Sequence, residues 1–475
     1  MKYLTAAAAT VLMGFSLTIG QTTARAEVPP PVPPISLAPP AGFPQGPNPL
    51  QQWIDAHIPK PAQIVPRAAR PAPGNVPADL TPLWHAVQSA PTGDPLFDSW
   101  PADLERYAPG DILETRDVTG TAFPMLLFTT GTTIQRATLI KFRTTNSSGA
   151  PSIGTATLIL PAKAWTGPGA RPVLLNATAI NALSRKCTTG YVLAHGLEVP
   201  TGQDFSPSPT LWAAERGYAV VIPDHEGPLM SYAEPTVAGH TMLDSIRAVR
   251  NFAPEQFGQS RFASTGYSGG AIASYASAVL ADEYAPELTP YLAGASFGGL
   301  TTDYRAFAHN FDGSYISGFL LTIALAIARE HPEILGLMNH LAEWAATSPV
   351  KEICSGSFGG LGMAPVPFEA VANIDKPLDS ALAEEIFDRL NLTGRKSAVP
   401  LFVYHGLHDP WIPVSGAERL HREQCALGVA VTKNIVGGEH LLAYLSSYGA
   451  TTEWLDQRLR GVPATGDCGG AAGAR

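Results

Sequence analysis

Apolar residues in this chain fall mainly into short continuous runs, separated by longer stretches of mixed polarity. Such runs indicate strands that are buried on both faces, as in a parallel sheet, and the stretches between them predict crossover helices. Residues 133–145 partly alternate instead, which predicts a strand at a sheet edge with 155–160 as its partner. The pattern therefore predicts an α/β fold, with a mostly parallel central sheet, antiparallel strands at its front and helices on both faces. The buried runs lie at 172–175, 219–222, 262–265, 399–404 and 431–436, and two crossover helices lie at 237–251 and 271–285.

The short apolar runs that predict buried strands do not occur between residues 301 and 395. Residues 315–328 and 334–346 have helical patterns instead. Segment 319–328 is apolar on all sides and too short to span a bilayer. It is either a buried core helix or part of a helical cap over an active site. We favour the cap, because the insertion falls between the candidate nucleophile and the candidate acid identified below.

The N-terminus has the pattern of a secretory signal. Lys2 precedes an apolar run from about residue 4 to 19, and Ala24-Arg25-Ala26 forms an A-x-A cleavage site. We predict a signal peptide over 1–26 and a secreted protein. The alternative is an N-terminal membrane anchor, which the short run and the cleavage site disfavour, and no cysteine nearby indicates a lipoprotein anchor.

Composition divides the rest of the chain. Residues 27–93 are rich in Pro and Ala and predict an extended, partly disordered leader, in which 49–57 could form a short helix. The folded domain is expected to begin near Asp94. Its first core part then covers 94–300, the helical cap insertion 301–395 and the second core part 396–470.

The net charge argues against two classes of partner. The whole chain carries −9, and loss of 1–26 leaves 29 basic and 40 acidic residues, a net charge of −11. A chain this acidic is not built to bind nucleic acid or an anionic membrane by charge.

Four cysteines remain after the signal segment, and an even number in an exported protein suggests two disulfides. Three pairings are possible, and the sequence does not choose among them. Zinc is the competing interpretation, but no close Cys or Cys/His pair supports it, so we expect no metal. The cysteines are Cys187, Cys354, Cys425 and Cys468.

One motif carries the chemistry: Gly266-x-Ser268-x-Gly270, between the run 262–265 and the helix that follows. In a nucleophile elbow of this form, a serine stands on a strained strand-to-helix turn, where glycines avoid collisions across the turn. The N–H of Gly269 would then face the oxyanion that forms when the serine attacks an ester. By chance alone the motif is common, so its strand-turn-helix context and its partners decide the interpretation.

A nucleophilic serine needs a base and an orienting acid, which follow it in the order acid, then histidine, in α/β-hydrolases. Asp409 lies in the loop after strand 399–404, and His440 follows strand 431–436 in a glycine-rich loop. The second oxyanion donor is expected after strand 172–175, near Ala179. The remaining histidines and acids near these strands are expected to be structural or are less well placed: His405, His408, Asp375, Asp379, Asp388, Glu439 and Asp224.

With these residues in hand, the chain resembles the secretory lipase family (Candida antarctica lipase A-like), α/β-hydrolases with a helical cap. The resemblance covers about residues 94–470 and implies the triad Ser268, Asp409 and His440, with Gly269 as an oxyanion donor. It also implies the pairings Cys187–Cys354 and Cys425–Cys468. Relatives often carry a more polar segment near the place of Ala179, so a side-chain contribution to the oxyanion hole is absent here. The marks of the resemblance are Gly266-Tyr267-Ser268-Gly269-Gly270, Ile222-Pro223-Asp224, Gly294-Ala295-Ser296, Tyr404-His405-Gly406, Asp409 and His440.

These features predict a secreted serine carboxylic-ester hydrolase, a lipase or esterase, that acts on acylglycerols or similar lipophilic esters without metal or organic cofactor. The expected partner is a lipid or ester substrate, met at a lipid–water interface through the cap, and the oligomeric state stays open. Two rivals remain: an acyltransferase or serine peptidase on the same fold, and a catalytically disabled secreted binding protein.

Overall fold

The computed structural model of the chain describes residues 49–63, 72–196, 207–354 and 362–469. The expected signal peptide at 1–26 and the part of the leader at 27–48 lie outside the described residues. Nine strands form one sheet within the described ranges, in the order β1-β2-β3-β5-β4-β6-β7-β8-β9. The strands are β1 Ile112–Asp117, β2 Ile134–Thr145, β3 Pro151–Pro161, β4 Val173–Ala177, β5 Ala219–Pro223, β6 Phe262–Tyr267, β7 Leu292–Gly298, β8 Leu401–Gly406 and β9 Val431–Val436.

Strand direction divides the sheet into two parts. β1, β2, β3 and β5 pair antiparallel with one another in that order. From β5 through β4, β6, β7 and β8 to β9, all neighbours are parallel. The prediction of a mostly parallel sheet with antiparallel strands at its front is confirmed.

Helices cover both faces of the sheet, because alternate strand residues bury into different apolar clusters. Val173 and Leu175 pack with residues of α7 (Pro235–Phe252) and α9 (Gly269–Tyr284), whereas Leu174 packs with residues of α6 (Pro209–Glu215) and α15 (His440–Leu459). Among the described residues, no helix combines the length and the hydropathy that a membrane span needs. The α-helices are α1 Pro49–His57, α2 Thr81–Ala86, α3 Pro95–Asp98, α4 Thr119–Thr130, α5 Thr189–His195, α6 Pro209–Glu215, α7 Pro235–Phe252, α8 Pro254–Phe257, α9 Gly269–Tyr284, α10 Tyr304–Phe311, α11 Ser317–Ala328, α12 His340–Thr347, α13 Ala381–Leu390, α14 Val414–Ala426 and α15 His440–Leu459.

Both sheet edges differ from the predictions. β2 was expected at an edge, but β1 pairs with its outer side. β1 carries three charged residues in six and none of its residues is buried, so it lacks the apolar pattern that identifies a strand. At the other edge, β9 is half-buried rather than buried on both faces. β7 was not predicted as a strand, because its two glycines and small side chains weaken the apolar signal.

The described part of the segment 301–395 contains α10 to α13 and short 3-10 turns, and no strand. The helix expected at 334–346 is shorter than predicted. A 3-10 turn occupies Pro332–Leu337, and α12 begins only at His340. Asn339 determines that start, because its side chain accepts a hydrogen bond from the N–H of Ala342.

Packed structure begins upstream of Asp94, which corrects the expected start of the folded domain. The indole of Trp84 is fully buried and donates a hydrogen bond to the carbonyl of Arg329. The carboxylate of Asp55 in α1 accepts a hydrogen bond from the N–H of His340. Composition could not reveal this, since the anchoring side chains stand singly among prolines and alanines.

Two disulfides join Cys187 to Cys354 and Cys425 to Cys468, the pairs that the resemblance implies. The second holds the segment after α15 beside the outer edge of β9. There the N–H of Asp467 donates to the carbonyl of Val431, and its carboxylate accepts from the N–H of Lys433. The last described residues therefore occupy hydrogen-bonding groups at one end of the edge strand.

Candidate active site

Ser268 stands at the turn between β6 and α9 with φ 53° and ψ −116°, a strained conformation for a residue with a side chain. Its neighbours must be glycines. A Cβ atom on Gly266 would lie 2.1 Å from the carbonyl oxygen of Gly270, and one on Gly270 would lie 2.0 Å from that of Ala177. The turn therefore has the backbone of a nucleophile elbow.

Asp409 and His440 are brought together at the carboxyl ends of β8 and β9. Nδ1 of His440 lies 2.5 Å from Oδ2 of Asp409, and both side chains are buried. Oδ1 of Asp409 accepts hydrogen bonds of 2.9 Å from the N–H groups of Trp411 and Ile412. Burial alone would raise the pKa of Asp409, but the hydrogen bond from His440 and the two N–H groups hold it below its usual value. The carboxylate is thus ionised and fixed beside the imidazole.

Ser268 and His440 belong to elements that adjoin. The N–H of Ser268 donates to the carbonyl of Gly298, at the end of β7. The next residue, Gly299, faces His440, since a Cβ atom there would lie 2.6 Å from Cε1 of the imidazole. The residue before the serine, Tyr267, donates its hydroxyl to the main-chain carbonyl of His440, with ring centroids 4.9 Å apart. With Nδ1–H directed at Asp409, Nε2 is the nitrogen left to act as a base.

The loop after β4 lies directly against the elbow. A Cβ atom on Gly269 would lie 2.2 Å from the carbonyl oxygen of Ile180. On its far side, the loop is held by His225, whose Nε2 lies 2.9 Å from the carbonyl oxygen of Thr178. Ala179 is half-buried between these contacts. Ala179 and Gly269 therefore come from two segments that touch, although their role as oxyanion donors remains a prediction.

The other acids considered lie in different settings. Asp375, Asp379 and Asp388 are exposed in the insertion. Glu439 caps α15, because its carboxylate accepts from the N–H groups of the two residues after His440. Asp224 is buried and accepts from the Thr155 hydroxyl at 2.6 Å and the Gly190 N–H at 2.8 Å. Burial raises the pKa of Asp224 to about 6, and these hydrogen bonds oppose the rise.

Two further histidines lie near Asp409: His405, in β8, is buried, and His408, in the loop that carries Asp409 (the acid loop), is exposed. Nε2 of His405 lies 2.8 Å from the carbonyl oxygen of Ile412 and 3.5 Å from Oδ2 of Asp409. Burial lowers the pKa of His405, which keeps the ring neutral. It packs beneath the acid loop.

Two aromatic residues at the site were not singled out from the sequence. Tyr267 contacts His440, and its place inside the elbow motif was the available signal. Trp411 lies beside the same imidazole with ring centroids 5.1 Å apart, and its side chain is 40% exposed. Its position two residues after Asp409 gave no indication of that contact.

The helical insertion contains a partly open apolar cavity of about 420 Å³. Side chains from α10, α11, α13 and the 3-10 turn before α12 line it, including Phe307, Leu320, Ile323, Leu337, Ile386 and Phe387. Such a cavity suits an alkyl chain rather than a polar group. Over the described residues, no group of three or more His, Cys, Asp or Glu side chains is arranged to hold a metal ion.

The model of a family described as "Secretory lipase" matches residues 209–467. A Mycobacterium tuberculosis protein described as "Probable inactive lipase" is 29% identical over 79% of this chain and 84% of its own length. Lipase 4 of Candida albicans is 26% identical over 80% of this chain and 84% of its own length.

The structure of Candida antarctica lipase A superposes with a TM-score of 0.69 at 24% identity, covering 79% of this chain and 88% of that chain. At that identity the likeness shows the fold alone. It confirms the predicted α/β-hydrolase fold.

Proposed function

This chain belongs to the secretory lipase family, and from that premise we propose that it is a secreted serine hydrolase of lipophilic carboxylic esters such as acylglycerols. Lipases among its relatives support the coarser statement that it is a lipase-like ester hydrolase. The observation that carries the finer proposal is the contact of 2.5 Å between His440 and Asp409, on the loops beside the strained serine of the elbow.

In the proposed mechanism, Oγ of Ser268 attacks the ester carbonyl carbon as its proton passes to Nε2 of His440. Asp409 holds the imidazole and stabilises its charged form. The N–H groups of Gly269 and Ala179 bind the oxyanion of the tetrahedral intermediate. The C–O bond to the alcohol then breaks, and His440 returns the proton to the leaving oxygen. Water, activated by the same histidine, hydrolyses the acyl-enzyme and restores the serine.

Activity is the first test, because one relative is described as inactive. All three triad residues stand in this chain, so we expect turnover of p-nitrophenyl esters and tributyrin and labelling by a fluorophosphonate probe. Ser268→Ala should abolish both. Undiminished turnover in that variant would overturn the mechanism, and a wild-type protein that neither labels nor turns over ester would instead support the disabled binding protein.

The apolar cavity supports a lipophilic acyl group as substrate. We expect kcat/KM on p-nitrophenyl esters to rise with acyl length from acetate to octanoate, because each added CH₂ buries apolar surface. Ala324→Trp should remove that rise, since Ala324 lines the cavity and the indole would fill it. A length profile that is flat in the wild type, or unchanged in the variant, would contradict acyl binding there.

Export and a cap are part of the same proposal. The N-terminal signal pattern and the two disulfides support secretion. N-terminal sequencing of protein recovered from culture medium should find a start near Glu27. The segment 301–395 is proposed as the cap, on the ground that it contains the apolar cavity and lies between β7 and β8 in the chain.

A further inference from the structure

Arg329 directly follows α11. The proposed mechanism of ester hydrolysis does not use this cation, yet only 1% of its surface is exposed. Its Nη1 donates to the carbonyl oxygens of Leu183 at 2.7 Å and Leu229 at 2.8 Å. Its Nη2 donates to that of Lys351 at 3.2 Å. One rigid guanidinium thus joins three separate segments: the loop after β4, the loop after β5 and the insertion.

Burying a cation is costly unless the site compensates it. Burial lowers the pKa of Arg329 to about 10, a fall that the nearby carboxylate of Glu352 limits. The group therefore stays charged at neutral pH, and its hydrogen bonds are charge-assisted. Burying a charged guanidinium costs more free energy than packing an apolar side chain in the same place. We therefore infer that the site requires the defined loop geometry that these hydrogen bonds impose.

The loop that Arg329 contacts is the one that carries the predicted oxyanion donor. Ala182, next to Leu183, donates its N–H to Oε1 of the buried Glu226 at 3.2 Å. The N–H of Leu183 itself donates to the carbonyl of Ile353 at 2.9 Å. The loop is thus held from the insertion side by Arg329 and from the β5 side by Glu226, four and three residues after Ala179.

We propose that Arg329 is a positioning residue for ester hydrolysis: from inside the helical insertion, it fixes the loop 178–183 against the elbow so that the Ala179 N–H meets the oxyanion. The inference rests on the proposed function. Without the guanidinium, three carbonyls lose their donor and the loop can shift. A displacement of about 1 Å at an oxyanion donor costs on the order of a hundredfold in rate.

The test compares Arg329→Met with Arg458→Met. Arg458 is also buried and donates to main-chain carbonyls, those of Val462 and Pro463, but at the far end of α15. Rates are divided by the concentration of active sites from fluorophosphonate titration. Arg329→Met should lower kcat about tenfold to a hundredfold and leave KM within about twofold. Arg458→Met should lower the thermal midpoint and leave kcat unchanged.

A ligand pair separates oxyanion binding from general damage. Oγ of Ser268 adds to the carbonyl carbon of a long-chain trifluoromethyl ketone as its proton passes to His440, which leaves a hemiketal oxyanion. The corresponding secondary alcohol has no carbonyl to attack. Arg329→Met should lower the affinity for the ketone by the same factor as it lowers kcat, and it should leave the affinity for the alcohol unchanged. Equal loss for both ligands, or neither lost, would overturn the proposal.

Arg329→Lys guards against a variant that does not fold. It keeps the charge and offers fewer, differently placed donors, so we expect a smaller loss of kcat with the same selectivity for the ketone. If Arg329→Met cannot be purified, Arg329→Lys becomes the deciding variant. A kcat in Arg329→Lys equal to that of the wild type would then overturn the positioning role. The proposed function fails by a separate result, namely full activity in Ser268→Ala.

Discussion

The hydroxyl of Tyr267 donates a hydrogen bond to the main-chain carbonyl of His440. The residue immediately before the elbow serine therefore holds the residue that begins α15. The carbonyl belongs to the proposed base, and the tyrosine backbone continues into the proposed nucleophile. The distance between Oγ of Ser268 and Nε2 of His440 therefore depends on the Tyr267–His440 hydrogen bond, although neither reacting side chain takes part in that bond.

Tyr267→Phe should test that bond, because it removes one oxygen and keeps the ring. We expect kcat to fall about threefold to tenfold, since a neutral hydrogen bond contributes about 1 kcal/mol. KM should hold, and steady-state kinetics on a p-nitrophenyl ester gives both constants. Tyr448→Phe is the matched control: it loses a similar bond, from Tyr448 to the Ser208 carbonyl, farther along the same helix. Equal kcat in Tyr267→Phe and wild type would contradict the prediction.

Asp409→Asn should lower kcat by about 10³-fold to 10⁴-fold, because an amide can direct its NH₂ at Nδ1 and place the imidazole proton on Nε2. The histidine would then have no free nitrogen with which to take the serine proton. Asp388→Asn, a change at an exposed aspartate of α13, should leave kcat unchanged. A loss of less than about tenfold in Asp409→Asn would assign the orienting role to another group.

Asp224 predicts a pH dependence of stability. Its pKa of about 6 in the folded protein exceeds the unfolded value of about 3.9. Between these values the folded state binds more protons, so stability falls as pH rises from about 4 to about 6 and then levels off. Relative to Asp224→Asn, the wild type should be more stable at pH 4 than at pH 7 by on the order of 2 kcal/mol.

Urea unfolding at intervals between pH 4 and pH 7 measures that difference. Asp282→Asn, which removes an exposed carboxylate of α9, is measured alongside as the control for loss of one surface charge. Parallel stability curves for the wild type and Asp224→Asn would show that the carboxyl group is not the source of the dependence.

The two disulfides should differ in their effect. They close sequence separations of 167 and 43 residues, for which loop entropy gives about 5 and about 4 kcal/mol. Replacing Cys187 and Cys354 with serine should lower the thermal midpoint more than replacing Cys425 and Cys468. The first pair should also lower kcat, because Cys187 follows the loop that Arg329 holds. The reverse order in both measurements would contradict the link to that loop.

The sequence identified the parts of the fold that rest on local signals. Buried strands such as β4, β5 and β6 are continuous apolar runs, and the elbow is recognisable because its glycines are a steric necessity. The order of acid and histidine along the chain pointed to Asp409 and His440. Their contact of 2.5 Å is a long-range fact that no local pattern contains.

Features that depend on residues far apart in the chain could not be predicted from the sequence. β1 is a strand because β2 offers it an edge, despite its charged residues. Trp84 is buried and donates a hydrogen bond to the carbonyl of Arg329, 245 positions away, so nothing in its proline-rich surroundings indicated a fold. Arg329 itself is an unremarkable basic residue in the sequence, and only the three carbonyls around it reveal its role.

The tail that lies beside β9 has a consequence for how this protein behaves at high concentration. An uncovered edge strand invites the same strand of another molecule to pair with it. Asp467 pairs with two main-chain groups of β9, the carbonyl of Val431 and the N–H of Lys433. The disulfide from Cys468 to Cys425 keeps the tail from dissociating from the strand. Reducing conditions would then do more than loosen one molecule, because they would open a template for edge-to-edge assembly.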